Sequence, residues 1–184
     1  MALADLTTVA SVKAYAGIAS SADDAMLASM VTAYSAWVRS FLNRDLTTNS
    51  YDIRRSGRGT LAMQLPQYPV TAVALLEVDG QPIAAQSAWG APGYRFDDTQ
   101  IVLDGYCFTL GISNVHIQFT AGYASPPADI AQALNELITL RYKLRDKLEW
   151  SSKSLAGETV SLVQRDMPAS VATLLNNWRC VAPL

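Results

Sequence analysis

The side chains that could carry out covalent chemistry are few in this chain of 184 residues. His116 is its one histidine, so a nucleophilic triad could be built only around that residue. His116 lies in an alternating run, where strand periodicity puts it on the face of Asn114 and Gln118, opposite the apolar positions. We therefore expect a solvent-facing strand residue and no catalytic residue. The alternative is a small hydrolase that uses His116.

The acidic and thiol side chains do not form a ligand pattern. Asp97 and Asp98 are adjacent, so in a strand they would point to opposite faces, and no third ligand follows at a cation-loop spacing. A turn after Phe96 accounts for them. Cys107 and Cys180 match no zinc motif, which predicts two free, mostly buried thiols. No metal or cofactor site is expected.

A glycine-rich stretch at Ser56–Gly59 lacks the lysine and the strand-to-helix setting of a phosphate-binding loop. With Arg54, Arg55 and Arg58 beside it, the stretch predicts a mobile hairpin tip. The formal net charge of the whole chain is −2. A protein that binds DNA specifically is a further alternative, but this charge argues against capture of DNA through its phosphates.

Composition places the chain among ordinary folded proteins. Half of its residues are hydrophobic and 16% are charged, which excludes a disordered tail. The N-terminus lacks the features of a signal peptide, and no run approaches the roughly 18 apolar residues of a membrane span. We expect a protein that is made in a cytoplasm and either stays there or leaves inside a particle.

Four helices are predicted from apolar stripes and end signals. Thr8 can cap the first helix and Gly17 can end it, whereas Ser21 is expected to cap the second. Proline is tolerated in a first helical turn, so Pro127 and Pro168 mark the start of the other two. The predicted helices span Val9–Ala16, residues 21 to 43 or 44, residues from 127 onward, and residues from about 168 onward.

Between the second and third helices the pattern changes to short β-like runs separated by turn residues. Asp79-Gly80 is a strong hairpin signal, because both residues tolerate positive backbone angles. The fold class expected is α+β, mainly a bundle of four helices with a strand-rich insert. We predict one domain over 1–184, a β-rich insert over 51–123 and a flexible segment over 151–166 before the C-terminal helix. The expected strands are Tyr51–Arg54, Leu61–Leu65, Val70–Val78, Tyr94–Phe96, Ile101–Leu103 and Val115–Thr120.

Two tryptophans differ in their expected roles. Trp178 continues the apolar stripe of Val171, Leu174 and Leu175, so it is predicted to pack in the core. Trp150 falls where the third helix gives way to a small polar run, and is the better candidate for an intersubunit contact.

Five stretches of the sequence follow one another in a specific order. They are residues 6–15 with Asp23-Asp24, residues 68–73 with 78–80, residues 94–98, residues 119–129, and residues 152–158 with 167–168. In this order they resemble the head-to-tail connector (adaptor) proteins of tailed bacteriophages. The stretches are spread along most of the chain, from residue 6 to residue 168, and residues 81–111 match least well.

The resemblance implies a structural role without catalysis. It implies a homo-oligomeric ring, a dodecamer in the particle, that lies under the portal protein, extends the DNA channel and docks a stopper or tail-completion protein. DNA would pass without sequence-specific binding, no membrane would be involved, and the protein would lie in the virion at the head-to-tail interface after assembly in the host cytoplasm. A different neck or tail-completion component is the alternative among structural proteins.

Within such a ring, the segment Ser151–Glu158 is expected to become ordered against a neighbouring subunit. The residues predicted to contact another subunit or the portal are Trp150, Lys153, Ser154, Leu155, Glu158 and Arg179.

Overall fold

The structure is a computed structural model that describes residues 3–145, 152–155, 158–161 and 167–180. Helices and antiparallel sheets occur together, so the expected α+β class is confirmed. The four helices described are α1 (Val9–Ala16), α2 (Asp24–Leu42), α3 (Ala128–Leu144) and α4 (Ala169–Asn176). The strands described are β1 (Asn49–Arg55), β2 (Ala62–Gln64), β3 (Val70–Val78), β4 (Gln81–Pro82), β5 (Gly93–Phe96), β6 (Gln100–Asp104), β7 (Val115–Ala121), β8 (Ser152–Leu155) and β9 (Glu158–Ser161).

The chain divides into two compact units, and the helices belong to the one formed by Ala4–Asn43 and Pro126–Val181. Helix α1 has the predicted limits: the Thr8 hydroxyl accepts a hydrogen bond from the Ser11 amide at 3.1 Å, and Gly17 adopts a left-handed φ of 70°. The prediction that Ser21 caps α2 is wrong. The cap position is Asp23, and Ser21 contributes only its backbone carbonyl, which the Asp24 amide reaches at 3.2 Å.

A buried asparagine joins the first and third helices. Asn135 on α3 is 6% exposed, and its side-chain oxygen accepts a hydrogen bond from the Thr7 hydroxyl at 2.7 Å. Its amide group donates to the Ser11 hydroxyl at 2.9 Å. Both ends of the amide are therefore satisfied, so its burial among apolar residues is tolerated and fixes the register of the two helices.

Among the described residues, none of the helices has the length and the apolar composition of a membrane span.

The other unit contains Arg44–Ser125 and carries two antiparallel sheets, with strand orders β1-β7-β3-β4 and β2-β6-β5. Strand β7 is central in the first sheet, and its residues alternate between buried and partly exposed. The core beneath it is built from the apolar members of both sheets. The largest fully buried side chains of this core are Phe108, Phe119, Leu76, Ile101, Leu103 and Ile117.

Turn chemistry was predicted correctly at one connection and incorrectly at another. Asp79 and Gly80 have φ values of 52° and 76°, and they join β3 to β4 as the expected hairpin. The stretch Ser56–Gly59 is no hairpin tip, because β1 pairs with β7 in one sheet and β2 pairs with β6 in the other. Two consecutive strands therefore separate into different sheets.

Candidate functional site

His116 is clamped between two carboxylates on the partly exposed face of the first sheet. Its Nε2 lies 2.7 Å from Asp52 Oδ1, and its Nδ1 lies 3.2 Å from Glu77 Oε2. The strand order explains this contact, because β7 lies between β1 and β3, and Glu77 is the cross-strand partner of His116. The side chain is 17% exposed, so the predicted face is correct but the imidazole is largely covered.

The carboxylates favour the charged imidazolium. The hydrogen bond to Asp52, and then that to Glu77, raises the pKa of His116 above its ordinary value. The same contact with His116 lowers the pKa of Asp52. Each group thus holds the other in its charged form, as expected for a hydrogen-bonded ion pair.

This geometry does not suit a hydrolase. A nucleophilic triad needs one imidazole nitrogen next to a hydroxyl or thiol, whereas both nitrogens of His116 face carboxylates. The site does not suit a metal ion either, since the imidazole ring of His116 lies between the carboxylates of Asp52 and Glu77. Within the described ranges, no group of three histidine, cysteine, aspartate or glutamate side chains could hold a metal ion. The cluster links strands β1, β7 and β3 through polar side-chain contacts.

The expected turn after Phe96 is present. Asp97 Oδ1 accepts hydrogen bonds from the amides of Thr99 and Gln100 at 2.8 and 2.9 Å. These bonds, the Thr99 amide first, lower the pKa of Asp97 to about 2. The carboxylate caps the turn and stays charged at neutral pH.

The cysteines are free, as predicted, but they are not mostly buried. Cys107 is exposed and Cys180 is partly exposed. The reason is their position: Cys107 lies in an irregular loop after β6, and Cys180 follows the end of α4.

Most of the predicted contact residues have only a backbone description or none. Lys153, Ser154 and Leu155 lie on β8, which pairs with β9 in a register that matches Leu155 with Glu158. Trp150 lies outside the described residues. The role of this segment as a subunit contact stays a prediction, as does its flexibility.

Arg179 is the predicted contact residue whose side chain is described. It is exposed, and its guanidinium lies 5.4 Å from the centre of the Phe41 ring on α2. The neighbouring Trp178 is partly exposed, and its ring nitrogen donates a hydrogen bond to Asp129 at 2.5 Å. Trp178 therefore connects α4 to the start of α3 at the edge of the core, where an apolar stripe alone predicted burial.

Sequence reasoning missed a loop that carries exposed apolar side chains. Between β6 and β7, Leu110 and Ile112 are 85% and 92% exposed. The loop is held in place, since the Gly57 amide donates to the Asn114 side chain at 2.8 Å and Phe108 is fully buried. Two large apolar residues within a Gly-, Ser- and Asn-containing stretch could have signalled this surface.

Comparisons with known proteins assign the chain to a class of proteins. A family model described as head completion protein matches residues 5–181. A search of curated proteins finds no match.

Solved structures of gene transfer agent (GTA) particles are similar over nearly the whole chain. A chain from the neck of the empty GTA particle, computed with C6 symmetry, has a TM-score of 0.64 and 26% identity, with 97% of this chain and 92% of that chain covered. A chain from the virion of the native particle has a TM-score of 0.61 and 26% identity, with coverage of 100% and 98%. One from the native neck, computed with C12 symmetry, has a TM-score of 0.59 at the same identity and coverage.

Proposed function

Because the chain belongs to the head completion protein family, we propose that it is the head-to-tail connector of a tailed phage or a related particle. It forms a ring under the portal, extends the DNA channel and docks the next neck or tail-completion protein. The protein is a structural component of such particles and not an enzyme. The observation that carries the proposal is the match of the family model over 5–181 together with full-length similarity to chains of a symmetric neck.

We propose that the four helices serve as the bundle that packs side by side in the ring, with the strand-rich region 51–123 as an insert. The contacts among the helices support this, because α3 packs against α1, α2 and α4. An insert with its own buried core can vary in sequence without disturbing such a bundle. That independence fits the weak resemblance found over residues 81–111.

DNA passage is supported by charge. A ring of subunits with a formal net charge of −2 each has no overall attraction for phosphates, so DNA would slide past it without being held. A strongly basic lining would retain the DNA instead. We therefore expect no sequence-specific contact with the genome.

The contacts that hold the ring are assigned to the segment before α4 and to the end of α4. Lys153 and Glu158 have opposite charges and lie on two paired strands, so either could meet a charge on a neighbouring subunit or on the portal. Arg179 is exposed at the end of α4 and could serve the same purpose.

A mass measurement on the full chain mixed with its portal tests the proposal. We expect a complex that contains a ring of this chain, and Arg179→Ala should weaken it. Lys143→Ala is the matched control, since Lys143 is also exposed and basic but is not a proposed contact. A chain that stays monomeric with the portal and is absent from purified virions would overturn the proposal. If it is present in virions but never cross-links to the portal, it is a different neck component.

A further inference from the structure

One end of the strand-rich unit is basic and apolar. Strand β1 ends there at Arg55, opposite Val115 at the start of β7. Arg54, Arg55 and Arg58 are exposed at this end, and none forms an ion pair within the described part of the chain. The exposed apolar side chains of this basic end are Leu61, Tyr106, Leu110 and Ile112.

The loop that presents these apolar residues is fixed to the sheet. The Asn114 side chain donates to Asp79 Oδ1 and to the Thr109 carbonyl, both at 3.0 Å, and the Thr109 hydroxyl also donates to Asp79. The Gly111 amide donates to the Gly57 carbonyl at 3.3 Å. A loop ordered by its own contacts loses little conformational entropy when a partner docks on it.

Asp79 is the acidic side chain held within this loop network. Its hydrogen bonds with Thr109 and then Asn114 lower its pKa, so it is charged at neutral pH. Arg54 interacts electrostatically with Asp52, whose pKa it helps to lower. Asp79 then stands against Arg55 and Arg58, and the basic end keeps an excess of positive charge.

The opposite end of the same unit is acidic and apolar. The turn after β5 carries Asp97 and Asp98, both exposed, and the Asp98 carbonyl accepts a hydrogen bond from the Val70 amide at 2.9 Å. Phe96, next to them, is 40% exposed. Pro66 is also exposed. It lies beside this turn, because the amide of the preceding Leu65 donates a hydrogen bond to the Thr99 carbonyl at 2.9 Å.

Two arginines of the same unit, Arg95 and Arg44, do not cancel this acidic end. Arg95 turns toward Asp104, at 3.8 Å, and lies over the Trp89 ring. Arg44 is 5% exposed and stacks on Tyr68. Within the described part of the chain neither Asp97 nor Asp98 forms an ion pair. Asp97 accepts hydrogen bonds within its own turn, and the carboxylate of Asp98 remains available to a cation from outside the subunit.

Strand register separates the two ends. Val70 pairs with Ala121 and Val78 pairs with Val115, so the acidic turn and the basic loop lie at opposite ends of β3 and β7. Seven extended residues of β7 span roughly 20 Å. A surface at one end that complements a surface at the other makes a head-to-tail contact, which generates a ring when its rotation closes.

We propose that the basic end of one subunit docks on the acidic end of the next copy of this chain. Arg55 and Arg58 face Asp97 and Asp98 of the neighbour, and Leu110 and Ile112 pack near its Phe96. A second copy is the partner that fits, because one chain carries both complementary surfaces and the similar neck structures have cyclic symmetry. The inference rests on the proposed ring, and adds a contact between neighbouring strand-rich units.

Charge exchange tests this contact in the full chain assembled on the portal. Arg58→Asp alone and Asp98→Arg alone should each reduce the ring fraction about tenfold, since each puts like charges face to face. The double variant, with both changes, should restore the ring because the charges are complementary again. Lys143→Asp is the matched control for a charge reversal elsewhere on an exposed surface, and should leave the ring fraction unchanged.

The outcomes separate this inference from the proposed function. Rings of normal yield in both single variants would overturn the contact and leave the connector role intact. Normal rings that fail only to bind a tail-completion protein would show that the ends dock that protein, which also overturns it. A wild-type chain that never forms a ring on the portal would overturn the proposed function and this inference together.

A cross-link gives a second measurement that does not depend on charge. Cys107 is exposed in the loop of the basic end, so Asp98→Cys places a second thiol at the acidic end. A short bismaleimide should then join neighbouring copies into a ladder of covalent multimers on the portal. Ser29→Cys, exposed on α2, is the control and should give no such ladder. Equal ladders from both variants would contradict the proposal.

Discussion

At the scale of single residues, the contact of His116 with Asp52 and Glu77 links three strands that are distant in sequence. The two groups closest together, His116 and Asp52, shift one another's pKa in opposite directions. Because the pKa of His116 is raised in the folded protein, its contribution to stability is complete below pH 6.5, the ordinary pKa of histidine. The contribution is lost as the pH rises through the higher pKa of the folded state. The lowered pKa of Asp52 means that its contribution is complete above 3.8 and is lost as pH falls through the folded-state value.

The pair should therefore stabilise the fold most between pH 3.8 and 6.5. Asp52→Asn should lower the free energy of unfolding more at pH 5.5 than at pH 9, because His116 loses its proton at the higher pH. Denaturant titrations at both values measure this. Asp98→Asn, which changes an exposed carboxylate in the turn after β5, should show no such pH dependence. An equal loss for Asp52→Asn at both pH values would contradict the assignment.

The hydrogen bond from Trp178 to Asp129 offers a second residue-level test. Trp178→Phe keeps an aromatic ring but removes the donor, and should lower the free energy of unfolding by about 1 kcal/mol. Trp89→Phe makes the same chemical change at a side chain that is 87% exposed, and should have little effect. Thermal or urea unfolding compares the two. If both variants are equally stable, the contact does not anchor α4.

The role of a single residue was predictable where its partners are close to it in the sequence. The face of His116 follows from strand alternation, and the turn role of Asp97 depends on partners two and three positions away. The contact of His116 with the carboxylates was not predictable. Asp52 lies 64 positions from His116 in the sequence, and the two meet only because nonconsecutive strands pair. The position of Trp178 was misjudged because an apolar stripe does not show where a core ends.

At the scale of elements, the sequence predicted a helix end correctly where a single residue can form that end by itself. Thr8 and Gly17 bound α1 as expected, and Asn43 ends α2 with a φ of 54°. The prediction for Ser21 was wrong because α2 begins at Asp24, so the capping position is Asp23 and not Ser21. The separation of β1 from β2 into different sheets depends on long-range pairing, which local patterns do not specify.

Gly57 provides a test at this scale. A β-carbon added there would lie 1.9 Å from the Thr109 carbonyl oxygen, so Gly57→Ala should push the β1–β2 connection away from the loop after β6. We expect a loss of about 3 kcal/mol in the free energy of unfolding. At Gly59 a β-carbon meets no atom within 4 Å, and only its φ of 74° is unfavourable, so Gly59→Ala should cost about 1 kcal/mol. Equal losses would show that the two segments are not closely packed.

At the scale of the whole molecule, the order of motifs was more informative than any one of them. The resemblance to connector proteins is confirmed by the family match and by the similar neck chains. The basic and acidic ends could not be predicted, because they require the register of β3 and β7 as well as the sequence.

The segment before α4 should change its accessibility on assembly. Lys153 lies within it, so trypsin should cut there in the isolated chain and much more slowly in assembled particles, because a neighbouring subunit would cover it. Peptide mapping over a digestion time course measures the two rates. Lys143, exposed on α3 and not a proposed contact, reports cleavage elsewhere in the chain. Equal rates at Lys153 in both states would contradict its role as a subunit contact.

The most direct test of the proposed ring is a cryo-EM map of the neck of a particle that contains this chain. We expect a closed ring of its copies against the portal, with Arg58 of each subunit near Asp98 of the next. A neck that lacks this ring, together with a purified chain that stays monomeric in the presence of portal, would contradict the proposed connector role.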